Sequence, residues 1–127
     1  LQASTFDGTS PSYPIVGTLT DALEHTAIVL ARAEAGVRCA RVTLAIERHR
    51  NTLGQLPENL ERLVPEFLPA VPADPFDGQT LRYKRLNPGY VVYSVSENRV
   101  DDGGELHVRE DGKVFQRYAD MTFSVLR

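Results

Sequence analysis

Oxygen-bearing side chains are concentrated in one short segment, SVSENRVDDGG, which runs from Ser94 to Gly104. Its candidate oxygen ligands are the Ser94 hydroxyl, the Asn98 amide and the carboxylates of Glu97, Asp101 and Asp102. Calcium binds six to eight oxygen atoms from carboxylates, carbonyls and water, so several of its ligands could come from this stretch. The spacing is not that of an EF-hand loop. If the segment holds a metal, calcium is the predicted ion and Ser94, Asp101 and Asp102 are its predicted ligands.

The same residues are also typical of a tight turn that holds no metal. In the run from Asp101 to Gly104, short carboxylates can accept hydrogen bonds from the backbone, and glycines can take positive φ angles. Asp74, before Pro75, and Asp77, before Gly78, predict turns for the same reason. The sequence leaves both the metal and the turn interpretation open for the acidic segment.

The remaining chemically active groups do not form a catalytic motif. They are His25, His49, His107, Cys39, Asp101, Asp102 and Asp120. The first two histidines lie far apart on one predicted helix, and Cys39 lies on an apolar stripe, where an inert buried thiol is expected. No glycine pattern of a nucleotide-binding loop is present. We predict that the protein is not an enzyme; a hydrolase that uses the acidic segment is the weakest alternative.

A long amphipathic helix precedes the acidic segment. The sequence Thr18-Leu19-Thr20-Asp21 fits a capping box and predicts the helix start, and Gly54 predicts its end. Gly36, in the middle, predicts a bend, a close approach of another backbone or a break. Two apolar stripes follow the helix, and we expect both to be buried. Their members are Leu19, Leu23, Leu30, Val37, Ala40 and Leu44, and Ile28, Ala31, Ala35, Cys39, Val42, Ile46 and Leu53.

Shorter elements follow the long helix. Pro57 predicts a short helix over residues 58–64, and the prolines at 65, 69, 72 and 75 predict a packed loop. Turn residues separate predicted strands, which pair as one hairpin, then a second hairpin, then an edge strand. The predicted strands are residues 81–86 and 90–95, residues 105–109 and 114–118, and residues 122–126. The pattern predicts an α+β fold, with an irregular lead over residues 1–17 and a single domain over residues 18–127.

Composition excludes several classes of function. The chain has 127 residues, which is enough for one domain. Its net charge of −3 does not provide the positive surface that binding to nucleic-acid phosphates requires. Its one cysteine cannot form an intrachain disulfide. No apolar run reaches the roughly 18 to 20 residues that a bilayer crossing needs, and no signal peptide opens the chain. Because the chain begins at Leu1 rather than Met, we expect a processed or truncated product.

The order of these elements resembles the soluble domain of type IV pilin-like proteins, most closely the major pseudopilin of type II secretion systems. In that family a long helix is followed by a short Pro-led helix, a loop containing Asp-Pro, an antiparallel sheet and an acidic glycine loop. The matching residues are Gly54 to Pro57, Leu60 to Val64, Asp74 to Gly78, Tyr83, Tyr93 to Val95, and Asp101 to Gly104. The resemblance extends from roughly Ala40 to Gly104.

The resemblance implies a pilin-like α+β fold with a long N-terminal helix packed on a small antiparallel sheet. It implies a structural or assembly role in a bacterial envelope or secretion system, with protein partners or self-assembly, and a loop that binds calcium. The expected location is periplasmic or otherwise extracytoplasmic, with membrane attachment through a segment missing from this chain. The alternative is a sensory or ligand-binding accessory module at the C-terminal end of a larger membrane protein.

Overall fold

The computed structural model describes residues 14–105 and 120–127. Its first element is one uninterrupted helix, α1, over Pro14–Leu53. Proline suits the first turn of a helix, and α1 begins there, four residues before the predicted capping box at Thr18. The predicted end is confirmed, because Gly54 has a φ of +75° and donates its backbone N–H to the Arg50 carbonyl at 2.8 Å.

Only the middle of one of the two apolar stripes of α1, from Ala35 to Ile46, is buried. Ala35, Cys39, Val42 and Ile46 are inaccessible to solvent, whereas the stripe that contains Leu44 is exposed. The prediction that both stripes are buried is therefore wrong. At about 100° per residue, the two stripes lie about 150° apart around the helix, so a single sheet can cover only one of them. Gly36 causes no break; the Met121 sulfur lies 3.9 Å from the position that a Cβ would occupy there.

The segment after α1 packs on the core through a 3-10 turn, η1, over Leu60–Leu63. Its N-cap is Asn59, whose side chain accepts a hydrogen bond from the Arg62 N–H at 3.2 Å. The turn is shorter than the helix predicted for residues 58–64. Leu68, in the proline-paced loop, is buried in the core, so the predicted packed loop is confirmed there.

Three antiparallel strands form the sheet within the described residues, in the order β1-β2-β3. They are β1 over Arg82–Arg85, β2 over Tyr90–Ser94 and β3 over Met121–Val125. The central strand β2 is buried along its whole length, since α1 covers one of its faces and the strand is paired on both sides. The predicted first hairpin is confirmed, and the last predicted strand is present as β3, at one side of the three described strands.

Gly89 fixes the turn that connects β1 to β2. Its φ is +91°, and a Cβ at this position would lie 1.8 Å from the Val125 carbonyl oxygen of β3, so no side chain fits. The predicted second hairpin, at residues 105–109 and 114–118, lies almost entirely outside the described residues. The α+β class is confirmed: a long N-terminal helix packs on a small antiparallel sheet.

Candidate functional site

A buried carboxylate, Asp74, is the central hydrogen-bond acceptor between the proline-paced loop and the start of the acidic segment. Oδ1 accepts from the Phe76 N–H at 3.0 Å and from the Ser94 hydroxyl at 2.8 Å. Oδ2 accepts from the Val95 N–H at 2.8 Å and from the Arg82 guanidinium at 2.9 Å. Asp74 is fully inaccessible to solvent. A buried charge requires this number of partners, so Asp74 holds the proline-paced loop against the end of β2.

Arg82, the first residue of β1, balances the negative charge around Asp74. Its guanidinium also pairs with Asp77, and its Nε lies 3.8 Å from an Asp101 oxygen. The hydrogen bond from Arg82 lowers the pKa of Asp77 and raises the pKa of the guanidinium in turn. Asp77 Oδ1 accepts from the Gln79 N–H at 2.9 Å, which confirms the turn predicted at this residue.

Ser94, a predicted metal ligand, is buried and serves Asp74. Its hydroxyl donates to Asp74, and the same oxygen accepts from the Ser96 N–H at 3.3 Å. The backbone then turns sharply, with positive φ angles of 61° at Ser96 and 55° at Arg99. These angles are uncommon for residues with side chains. The structure therefore gives Ser94 a role in closing the loop.

The predicted ligand Asp101 caps the turn that follows. Its Oδ1 accepts from the Tyr93 hydroxyl at 3.0 Å and from the Gly103 N–H at 2.9 Å. Burial, together with the hydrogen bond to Asp101, raises the pKa of Tyr93 to about 12. Gly104 packs on the Tyr93 ring so closely that a Cβ there would lie 2.7 Å from Cδ1. Asp101 thus has the backbone contact expected of the turn interpretation.

Asp120, just before β3, completes the loop, and sequence reasoning missed this role. Its Oδ2 accepts hydrogen bonds from the N–H groups of Asp102 and Gly104, at 3.0 and 2.9 Å. In the described part of the chain, its Oδ1 is the one buried side-chain oxygen or nitrogen that has no hydrogen-bond partner. Burial raises the pKa of Asp120. Asp120 lies 16 or more positions along the chain from Asp102 and Gly104, so no local sequence pattern could have indicated these hydrogen bonds.

The predicted calcium site can be compared with these contacts. Asp102, the third predicted ligand, has an Oδ2 3.4 Å from the Asn98 amide nitrogen. The Ser94 hydroxyl is engaged by Asp74, and Asp101 is engaged by Tyr93 and Gly103. Residues 14–105 and 120–127 contain no group of three or more His, Cys, Asp or Glu side chains arranged to hold a metal. The contacts fit a self-capped turn better than a metal site, and calcium binding stays a prediction.

Among the described candidate catalytic residues, Asp101, Asp102 and Asp120 meet at the acidic segment, whereas His25, His49 and Cys39 lie on α1. His25 is exposed on α1, and His49 is buried with its ring centroid 5.4 Å from that of Phe67. Burial raises the pKa of the Cys39 thiol to about 12, which keeps it protonated and unreactive at neutral pH. Asp101 and Asp120 serve the loop, and His107 lies outside the described residues. The described residues therefore offer no assembled nucleophile and base.

The second feature of note is an exposed apolar stripe on α1. Its large members recur every seven residues, and we call it the heptad face, defined by Val16, Leu23, Leu30, Val37 and Leu44. Each of these side chains is between 59% and 70% exposed. Small residues lie three positions after three of them, at Thr26, Ala33 and Ala40. Alternating large and small side chains at this spacing are the pattern of a helix that packs against another helix.

The N-terminal half of α1 carries this face without support from the sheet. No side chain between Ile15 and Glu34 is buried, and from Ile15 onward the first buried residue is Ala35. At 1.5 Å per residue, the unsupported part is about 30 Å long. Arg32 still touches the loop region through an ion pair with Glu97.

Comparison of the chain with protein-family models, with curated proteins and with solved structures finds no match. In residues 14–105 and 120–127, no helix combines the length and the apolar character that a membrane crossing requires.

Proposed function

We propose that this protein is a non-enzymatic assembly domain, similar to the soluble domain of a pseudopilin, and that it associates with copies of itself through the heptad face. The observation that carries the proposal is the exposure of five large apolar side chains at seven-residue spacing, on the side of α1 opposite the sheet. The pilin-like order of elements, from Gly54 to Gly104, supports the same role. An extracytoplasmic location and an envelope or secretion system are part of the proposal.

The free energy of burial explains why such a face needs a partner. Full burial of a Leu or Val side chain stabilises by about 1.5 to 3 kcal/mol, so five of them provide a strong drive for association. A helix whose N-terminal half makes few tertiary contacts with the other described residues is marginal in water by itself. Packing on a second helix supplies those contacts.

A second copy of the chain is the occupant that the shape of the face favours. The leucines and valines of one copy can fill the spaces above Thr26, Ala33 and Ala40 of the other, because small residues let two helices approach closely. Charged residues lie four positions after three members of the face, at Glu34, Arg41 and Arg48. Arg41 is exposed and forms no ion pair or hydrogen bond with the described residues.

The test is the concentration dependence of the oligomeric state. We expect sedimentation velocity to show reversible association of the wild-type chain, and Leu30→Glu with Val37→Glu to abolish it. Val100→Glu is the matched control, because Val100 is an exposed valine in the acidic segment and is not part of the heptad face. A wild-type chain that stays monomeric at millimolar concentration would refute the proposal, as would equal association of the double variant and the control.

A further inference from the structure

A surface cavity of about 380 Å³ lies where α1 ends, between the following turn and the end of β1. Ligand pockets of small molecules begin at about 300 Å³, so this volume suits a small ligand. The cavity is lined by two arginines and one glutamate, Glu58, beside apolar side chains. Its lining includes His49, Leu53, Leu56, Pro57, Arg62 and Arg85. None of these residues belongs to the heptad face or to the acidic segment.

We infer that this cavity binds a small carboxylate with an apolar tail. Two guanidinium groups supply the charge recognition. The Arg85 guanidinium has no ion pair or hydrogen bond with the described residues, and Arg62 has only a long, exposed contact of 3.6 Å with Glu58. An exposed pair of this kind contributes little stability, so Glu58 competes weakly with an incoming carboxylate. Guanidinium groups bind carboxylates through paired N–H donors.

His49 provides a fixed polar group on the same wall. Its Nδ1 lies 3.1 Å from the Gln55 carbonyl oxygen, and its ring meets Phe67 edge-on. Because a carbonyl only accepts, Nδ1 is the donor in this contact, and Nε2 is left without a partner among the described residues. The ring is therefore held in one orientation before any ligand binds, which reduces the entropy lost on binding.

The apolar walls select the rest of the ligand. Leu53 is 55% exposed, and Leu56 and Pro57 line the cavity beside it. An inorganic anion leaves these side chains in water, whereas an aliphatic chain attached to the carboxylate covers them and adds about 25 cal/mol for each Å² buried. Two sources share this chemistry: a free aliphatic acid and the C-terminus of a peptide that ends in an apolar residue.

The test is an NMR titration of the folded chain with hexanoate and with N-acetyl-leucine. We expect saturable shifts at Gln55, Arg62 and Arg85 with a Kd near 1 mM, and little response to hexanol or inorganic phosphate. Tighter binding of hexanoate assigns an aliphatic acid, and tighter binding of N-acetyl-leucine assigns a peptide C-terminus.

The arginine variants decide whether the binding is at this cavity. Arg85→Gln should weaken binding roughly tenfold while the spectrum stays that of a folded protein, and Arg41→Gln, an exposed arginine on the other side of α1, should leave it unchanged. The inference is overturned if neither carboxylate gives saturable shifts, if phosphate and hexanoate bind equally, or if Arg85→Gln binds like Arg41→Gln. The inference is independent of self-association, so either proposal can fail alone.

Discussion

The Ser94 hydroxyl donates a hydrogen bond to the Asp74 carboxylate at 2.8 Å, and this contact joins the proline-paced loop to the end of the central strand. Both residues are inaccessible to solvent. The loop has backbone hydrogen bonds of its own, such as those from Asp74 N–H to the Gln79 carbonyl and from Leu81 N–H to the Pro72 carbonyl. The buried carboxylate adds the hydrogen bonds that join this loop to the end of β2. The same carboxylate organises the start of the acidic segment through the Val95 N–H.

Asp74→Asn should destabilise the domain strongly. Asparagine lacks the negative charge that neutralises Arg82. Its NH₂ group is also a donor, and it would point at N–H and O–H groups that donate to the carboxylate oxygen in the wild-type protein. Breaking a buried ion pair by changing one partner costs about 3 to 5 kcal/mol. Ser94→Ala removes one hydrogen bond and should cost about 1 kcal/mol. Urea denaturation measures both, and a cost for Asp74→Asn no larger than that of Ser94→Ala would contradict the assigned role.

The pairing of Asp77 with Arg82 predicts a dependence of stability on pH. The folded pKa of Asp77 is lower than the ordinary value of 3.8, so its stabilisation is fully present above the unfolded pKa and is lost as pH falls through the folded pKa. Asp77→Asn keeps an oxygen for the Gln79 N–H but loses the charge. We expect wild type to exceed this variant by about 1.5 kcal/mol at neutral pH.

That difference should shrink as the pH is lowered below about 4. Urea denaturation of the two proteins at a series of pH values gives the comparison. A difference that stays constant down to the strongly acidic range would show that charge on Asp77 contributes nothing.

The C-terminal end of α1 and the strands of the first hairpin could be predicted from the sequence because local signals determine them. The start of α1 could not, because the helix begins at Pro14, before the capping box at Thr18. Gly54 ends α1, and turn residues bound β1 and β2, as expected. The choice between the two stripes of α1 could not be predicted in this way, because hydrophobicity alone does not say which face meets the sheet. The buried stripe is richer in small and thin side chains, such as Ala35 and Cys39, which allow the sheet to approach.

The contacts of the acidic loop were predictable only in part. Residue types indicated a turn or a metal site after Ser94, and the turn contacts of Asp101 agree with the first interpretation. The roles of Asp74 and Asp120 depend on partners 16 to 21 positions away, which no local spacing reveals. Long-range acceptors of this kind require the fold itself.

Two neighbouring residues of α1 provide a direct test of the buried face. Ile46 is fully buried against the sheet, and Leu44 is 66% exposed on the heptad face. We expect Ile46→Ala to cost about 2 to 5 kcal/mol and Leu44→Ala less than about 0.5 kcal/mol in dilute, monomeric protein. Chemical denaturation gives both values. The reverse order would mean that the opposite face of the helix contacts the sheet.

Two adjacent glycines separate backbone strain from crowding. Gly103 and Gly104 both have positive φ angles, of 74° and 70°, but only Gly104 lacks room for a Cβ, because of the Tyr93 ring. Gly103→Ala should cost about 1 to 2 kcal/mol from the backbone conformation alone. Gly104→Ala should cost clearly more, since the ring must also move. Equal thermal stability of the two variants would indicate that Tyr93 does not pack on the loop.

Calcium titration distinguishes the two interpretations of the acidic segment. Asp101 and Asp120 already bind the loop backbone, so we expect millimolar calcium to leave the melting temperature unchanged and Asp101→Ala to lose about 1 to 2 kcal/mol with or without chelator. A ligand that binds only the folded state raises its melting temperature by mass action. The opposite result would be a melting temperature that calcium raises, with the rise absent in Asp102→Ala and the stability of the chelated protein unchanged by that substitution. This result would show that the acidic segment is a metal site.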